Sequence, residues 1–148
     1  MSRSYFISGI GTGVGKTITA AVLTQLWAAE YWKPIQAGDL QQTDSDTVRS
    51  LSDKVKQIHP ERFRLNLPAS PHEAAAQDGL SIALEDFELP VTKQPLIVEG
   101  AGGLFVPINE QHFIIDLISR LQLPVILVIK DYLGCINHSL LSINALRT

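Results

Sequence analysis

Cysteine is nearly absent: Cys135 stands alone among 148 residues. No internal disulfide can form, and no Cys and His residues pair at zinc-binding spacing, so a reducing, cytoplasmic setting suits the chain. An excess of positive charge is missing too. The 12 Lys and Arg face 15 Asp and Glu for a net charge of -3, which supplies no field for gripping a phosphate backbone and argues against nucleic acid as a partner. There is no long hydrophobic run. The longest, Val125 to Ile129, is far too short to span a bilayer, so no membrane partner is expected. The N-terminus carries one arginine and only the short apolar run Tyr5-Phe6-Ile7, which does not read as a signal peptide. Internal repeats, low-complexity tracts and domain linkers are likewise absent. What remains is one domain-sized chain, 45% apolar, with room for a real core.

The most informative stretch is Gly9-Ile10-Gly11-Thr12-Gly13-Val14-Gly15-Lys16-Thr17, which follows that apolar run and opens a helical pattern. Glycines let the backbone curl with its N-H groups pointing inward, and the helix that follows adds its positive N-terminal end. Such a loop holds phosphate. Lys16 would reach the outer phosphates of a nucleotide and the Thr17 hydroxyl would ligate magnesium. The strict pattern places glycine at position 10, where this chain has Ile10, so the loop is a variant of it.

Tyr5 to Ile7 reads as a first strand and Thr17 to Ala29 as a helix, with Ile18, Val22, Leu26 and Ala29 at helical spacing. Lys33 to Ala37 reads as a second strand, and Asp44 to Lys56 as a helix with Val48, Leu51 and Val55 on one face. Ser70-Pro71-His72-Glu73 has the form of a capping box, with Ser70 as N-cap and Pro71 as first helical residue. Residues 57 to 70 are irregular. Leu96 to Val98 and Val125 to Ile129 are continuous apolar runs, the pattern of central strands covered on both faces. Ile114, Leu117, Ile118 and Leu121 mark a helix between them, and Cys135 to Leu146 a last one. This alternation predicts an α/β fold, a mostly parallel sheet with helices on both faces and ligands beyond the carboxyl ends of the strands.

A second glycine-rich turn follows Leu96-Ile97-Val98-Glu99, running Gly100-Ala101-Gly102-Gly103. A carboxylate at the end of so apolar a strand needs a cation or several donors, and beside a phosphate loop such an acid is used to hold magnesium. Asp46, at a helix start, is explained by capping alone, and Lys33, opening a strand, by solvation. His72 belongs most simply to its capped helix start and His138 to the exposed part of the last helix. Leu133-Gly134-Cys135-Ile136-Asn137-His138 precedes that helix and forms a second candidate anion site. Cys135, without a partner base nearby in sequence, reads as a packing or backbone contact.

Together these segments resemble the dethiobiotin synthetase family. The resemblance rests on Tyr5 to Gly9, Thr12, Val14 to Thr17, Lys33-Pro34-Ile35, Gly38, Ser45-Asp46, Ser70-Pro71-His72, Val98 to Gly103 and Leu133 to His138, in family order over nearly the whole chain. It implies one P-loop NTPase-type domain over residues 1–148. It also implies a ligase that uses ATP and Mg2+ to join diaminopelargonic acid and carbon dioxide into dethiobiotin, through a carbamate and a carbamic-phosphoric anhydride. Carried over by position, Lys16, Lys33 and Thr12 would be catalytic. Gly13, Val14, Gly15, Lys16, Thr17, Glu99, Gly100 and Gly102 would bind the nucleotide, and Thr17, Asp46 and Glu99 the metal. Lys33 and Gly102 would meet the substrate, joined by Gly134, Cys135, Ile136 and Asn137 from the neighbouring subunit of a homodimer with composite active sites.

Two departures stand out. Gly11 and Ala37 occupy positions where family members often carry polar side chains. The chain also stops at Thr148, where family members continue with βα elements that read the adenine base. An ATP-switched partitioning protein shares the fold, but its signature lysine would fall at position 11, which is Gly11. Amidases of cobyrinic acid synthesis need a glutamine-hydrolysing domain for which no room remains. A nucleotide-binding fragment with weak catalysis is the remaining alternative.

Overall fold

The computed structural model describes residues 4–147. In chain order the elements are β1 (Tyr5–Gly9), α1 (Lys16–Trp27), β2 (Glu30–Trp32), β3 (Ile35–Ala37), α2 (Asp44–Leu51), β4 (Ile58–His59), β5 (Phe63–Leu65), α3 (Pro71–Gln77), β6 (Leu96–Gly103), α4 (Ile114–Leu121), β7 (Val125–Val128) and α5 (Cys135–Ala145). Five strands form a parallel sheet of order β4-β2-β6-β1-β7. The expected α/β architecture is present.

Successive strand residues point to opposite faces, and the two faces bury different sets. Ile7, Tyr31 and Ile97 pack with Ala20, Ala21 and Val48 of α1 and α2. Phe6, Leu96 and Val98 pack on the other face with Ala74 and Ala75 of α3 and with Ile114, Leu117 and Leu121 of α4. The sheet is thus covered on both faces, as its apolar strands require. Glu99 follows Ile97 by two and so shares the α1 face, which aims it at the phosphate loop.

Several local readings change. The expected strand from Lys33 to Ala37 shortens to Ile35–Ala37, and a strand that was not expected precedes it. Glu30 to Trp32 joins the main sheet, while β3 pairs in parallel with β5 in a separate two-stranded sheet. The irregular segment thereby acquires β4 and β5. The α2 helix ends at Leu51 rather than Lys56, because the chain turns at Ser52 to run beside β2, with Lys56 N donating to Ala29 O. Ser70 does precede α3 and Pro71 is its first residue, but Ser70 makes no side-chain cap and its hydroxyl meets His72 Nδ1 at 2.9 Å instead. β7, expected in the centre, ends the sheet among the described residues.

The largest difference lies in α1. Ile18, Val22 and Leu26 are 55%, 51% and 68% exposed, and the helix instead buries Ala20, Ala21 and Thr24. Small side chains let the helix axis approach the sheet closely, so the spacing of the large apolar residues named the wrong face.

Candidate active site

The phosphate loop joins β1 to α1. Gly15 sits at φ 104° as the N-cap of α1, a left-handed conformation that disfavours any side chain. At Gly9 a Cβ would lie 2.5 Å from Val14 Cγ2, so the loop closes on itself only without one. Lys16 Nζ folds back to donate to Gly11 O at 2.9 Å. Burial, with Lys33 nearby, pushes the Lys16 ammonium below its ordinary pKa.

A cavity of about 550 Å³ opens beside this loop at the carboxyl ends of β1, β2 and β6. Thr12, Gly13, Lys16, Thr17, Lys33, Glu99 and Gly102, all singled out from sequence, line it. Val14, Gly15 and Gly100 do not line it. Gly100 nevertheless shapes the site, because its carbonyl accepts from Lys33 Nζ at 3.0 Å.

At the cavity floor Glu99, 1% exposed, gathers three donors. Its Oε1 accepts from the Thr17 hydroxyl at 2.8 Å and from Lys33 Nζ at 3.3 Å, and its Oε2 accepts from the Tyr31 hydroxyl at 2.7 Å. Lys33 also pairs with Asp44 Oδ2 at 2.6 Å. Burial by itself would lower the Lys33 pKa, but Glu99 and Asp44 outweigh it and hold the ammonium above its ordinary value. Lys33 is therefore a charged group buried at the cavity wall, a solvated surface charge no longer.

The two acids of the α2 start separate. Asp46 closes a capping box, accepting from Thr43 N at 3.0 Å while Thr43 Oγ1 accepts from Asp46 N, and its other oxygen meets Arg49 at 2.8 Å. Bonds from Thr43 hold its carboxyl below the ordinary aspartate pKa. It does not line the cavity, and Asp44 does. Capping geometry explains the difference: the third residue of a helix turns its carboxylate back to the N-cap, while the first is free to face Lys33.

Gly134, Cys135, Ile136 and Asn137 lie apart from the cavity. They open α5 after Gly134, which sits at φ 104°, and Ile136 is 74% exposed. Cys135 Sγ contacts Asp131 Oδ1 at 3.6 Å, and the Tyr132 hydroxyl meets His138 Nδ1 at 2.7 Å.

Oxygen donors of Thr17, Asp44 and Glu99 converge on the same floor, and hard oxygen ligands of this kind suit magnesium. Among the described residues no three His, Cys, Asp or Glu side chains form a metal cage. Magnesium in phosphoryl-transfer sites is ordinarily held by one or two carboxylates together with the nucleotide's own phosphates, so the residues fit it.

Sequence reasoning missed Asp44 and Tyr31. The acid pair at the α2 start was a visible signal for Asp44. Nothing local marked Tyr31, which reaches Glu99 across 68 residues of chain.

A family model described as an AAA domain matches residues 3–148. The chain is similar to the ATP-dependent dethiobiotin synthetase BioD of Christiangramia forsetii, at 50% identity over all of this chain and 72% of the relative. It is similar also to the BioD of Paramagnetospirillum magneticum, at 48% identity over 98% of this chain and 70% of that one. The Brucella ovis BioD is 44% identical over all of this chain and 70% of its own length. A glycine loop, its lysine and threonine, and an acid-tipped central strand meet in one cavity, within a chain half identical to such a relative along its whole length, and on that ground the chain belongs to the ATP-dependent dethiobiotin synthetase family.

Proposed function

We propose that this chain carries out the ATP-dependent closure of a ureido ring, from diaminopelargonic acid and carbon dioxide to dethiobiotin, ADP and phosphate. The observation that carries the reading is the meeting of Lys16, Thr17, Lys33 and Glu99 in one cavity at the strand ends. One substrate amine adds to carbon dioxide, releasing a proton and forming a carbamate. A carbamate oxygen then attacks the γ-phosphorus of ATP, ADP leaves, and the second amine attacks the carbonyl carbon and expels phosphate as the ring closes. No protein nucleophile is needed, because the work is positioning and charge neutralisation.

In this reading the loop N-H groups from Gly13 to Gly15 and Lys16 hold the phosphates. Lys33 lies where the carbamate and the γ-phosphate meet, and Thr12 and Gly102 border the transferring group. Magnesium, held with the nucleotide, would offset phosphate charge. Thr17 and Glu99 would hold it, with Asp44, which lines the cavity, in the place expected of Asp46.

The start of α5 serves a different site. Gly134 to Asn137 do not line their own cavity and Ile136 is exposed, which supports a homodimer in which they reach the substrate carboxylate of the neighbouring subunit. No helix among the described residues is long and apolar enough to cross a membrane. A cytoplasmic setting agrees with the single thiol.

Phosphate release by the purified chain tests the reading, with ATP and magnesium, and with the diamine and bicarbonate added singly and together. The synthetase requires both; release indifferent to the diamine would favour an ATP-switched protein instead.

A further inference from the structure

Tyr31 belongs neither to the phosphate-loop pattern nor to any segment that carries the family resemblance, yet it makes one of the shortest side-chain contacts of the site. It lies on β2, paired in register with Ile97 of β6, and so stands on the same sheet face as Glu99 two residues further on. The residue is fully buried and does not line the cavity.

The two oxygens of Glu99 are thereby divided. Oε1 faces the cavity, where Thr17 and Lys33 donate to it, and Oε2 points into the protein and takes the Tyr31 hydroxyl at 2.7 Å. A carboxylate bound this way cannot turn both oxygens toward a cation. We propose that Tyr31 is a positioning residue for Glu99, fixing its plane so that a single oxygen is presented to the Thr17 hydroxyl and to the magnesium held with the nucleotide. The proposal rests on the synthetase reading only in placing a magnesium nucleotide in this cavity.

The Tyr31 hydroxyl is the donor in this contact, since an ionised carboxylate offers it only acceptor oxygens. The ring packs with Ile7, Val48 and Ile97, which phenylalanine would reproduce. Removing the hydroxyl alone leaves Glu99 Oε2 buried without a donor, and that carboxylate then loses its fixed orientation. Groups that orient a metal ligand typically change metal affinity by about 10- to 100-fold when removed.

The test is calorimetric binding of a non-hydrolysable ATP analogue across a magnesium titration, on the full chain. Tyr31→Phe should raise the magnesium midpoint by about ten-fold, with metal-free nucleotide affinity unchanged. In turnover, the magnesium requirement should rise while kcat at saturating magnesium changes little. In a Glu99→Gln background the same substitution should produce no further rise, since Tyr31 acts through that carboxylate. An unchanged midpoint, or an equal rise in both backgrounds, would overturn the proposal. If the phenylalanine chain does not fold, 3-fluorotyrosine at position 31 keeps the shape and strengthens the donor. It should shift the midpoint, and a midpoint left in place counts against Tyr31. Failure of the synthetase reading looks different: phosphate release would ignore the diamine while the magnesium titration stayed readable.

Discussion

Lys33 shows how much the surroundings decide what a residue does. A lysine at a strand end is ordinarily a solvated charge, but here it is 4% exposed and held between Glu99 and Asp44. Lys33→Ala should abolish turnover while leaving nucleotide affinity nearly intact, measured by calorimetry; lost affinity would put Lys33 on the nucleotide itself. Asp44 and Asp46 offer a paired comparison. Asp44→Asn should raise the magnesium requirement by about 10-fold or more, and Asp46→Asn should leave it in place. The reverse result would restore the metal role to Asp46. Asp46 has instead a pH signature. Its folded pKa is depressed, so its contribution to stability is complete above the ordinary aspartate value and is lost as pH falls through the lower folded one. Thermal melts of Asp46→Asn and the parent chain should therefore differ at neutral pH and converge in strong acid.

Among the elements, α1 and α2 obey different rules. Thr43 caps α2 through its side chain, and Thr43→Ala should cost about 1 kcal/mol, seen in chemical denaturation. The α1 helix is held by its small face. Enlarging it with Ala21→Leu should destabilise by about 1–3 kcal/mol, since Ala21 is buried against the sheet. Leu26→Ser, on the exposed stripe, should change stability by no more than about 0.5 kcal/mol. A large loss at Leu26 would mean that the stripe is covered in solution. The α4 helix behaved as its spacing predicted, with Ile114, Leu117, Ile118 and Leu121 all buried, because there the large residues themselves fill the gap to the sheet.

At the scale of the whole molecule, the main sheet places its own cavity residues at one end, and β3 with residues 68–71 adds further lining. The site then follows from topology: β1, β2 and β6 are adjacent and parallel, so their carboxyl ends deliver the phosphate loop, Lys33 and Glu99 to the same place. The exposed start of α5 bears on association. If Gly134 to Asn137 complete a neighbour's site, light scattering should give twice the monomer mass, and Ile136→Asp should halve it and raise the KM for the diamine while sparing ATP affinity. A monomer with full diamine affinity would separate α5 from the substrate.

Much of this was legible in the sequence because it is local. Contiguous residues set the backbone path of a loop, so the run from Gly9 to Thr17 announces a phosphate site before any tertiary contact is known. The apolar run ending in Glu99 likewise announces a buried strand with an acid at its tip, and the alternation of strand and helix patterns announces the layers. Tertiary structure decided what depends on register and close approach. It turned Asp44 rather than Asp46 into the cavity, set Tyr31 against Glu99, buried the alanines of α1 in place of its larger residues, and put β7 at the end of the sheet. Spacing along one chain records which residues share a face of their own element; which face meets which, and at what distance, is settled only when the elements pack.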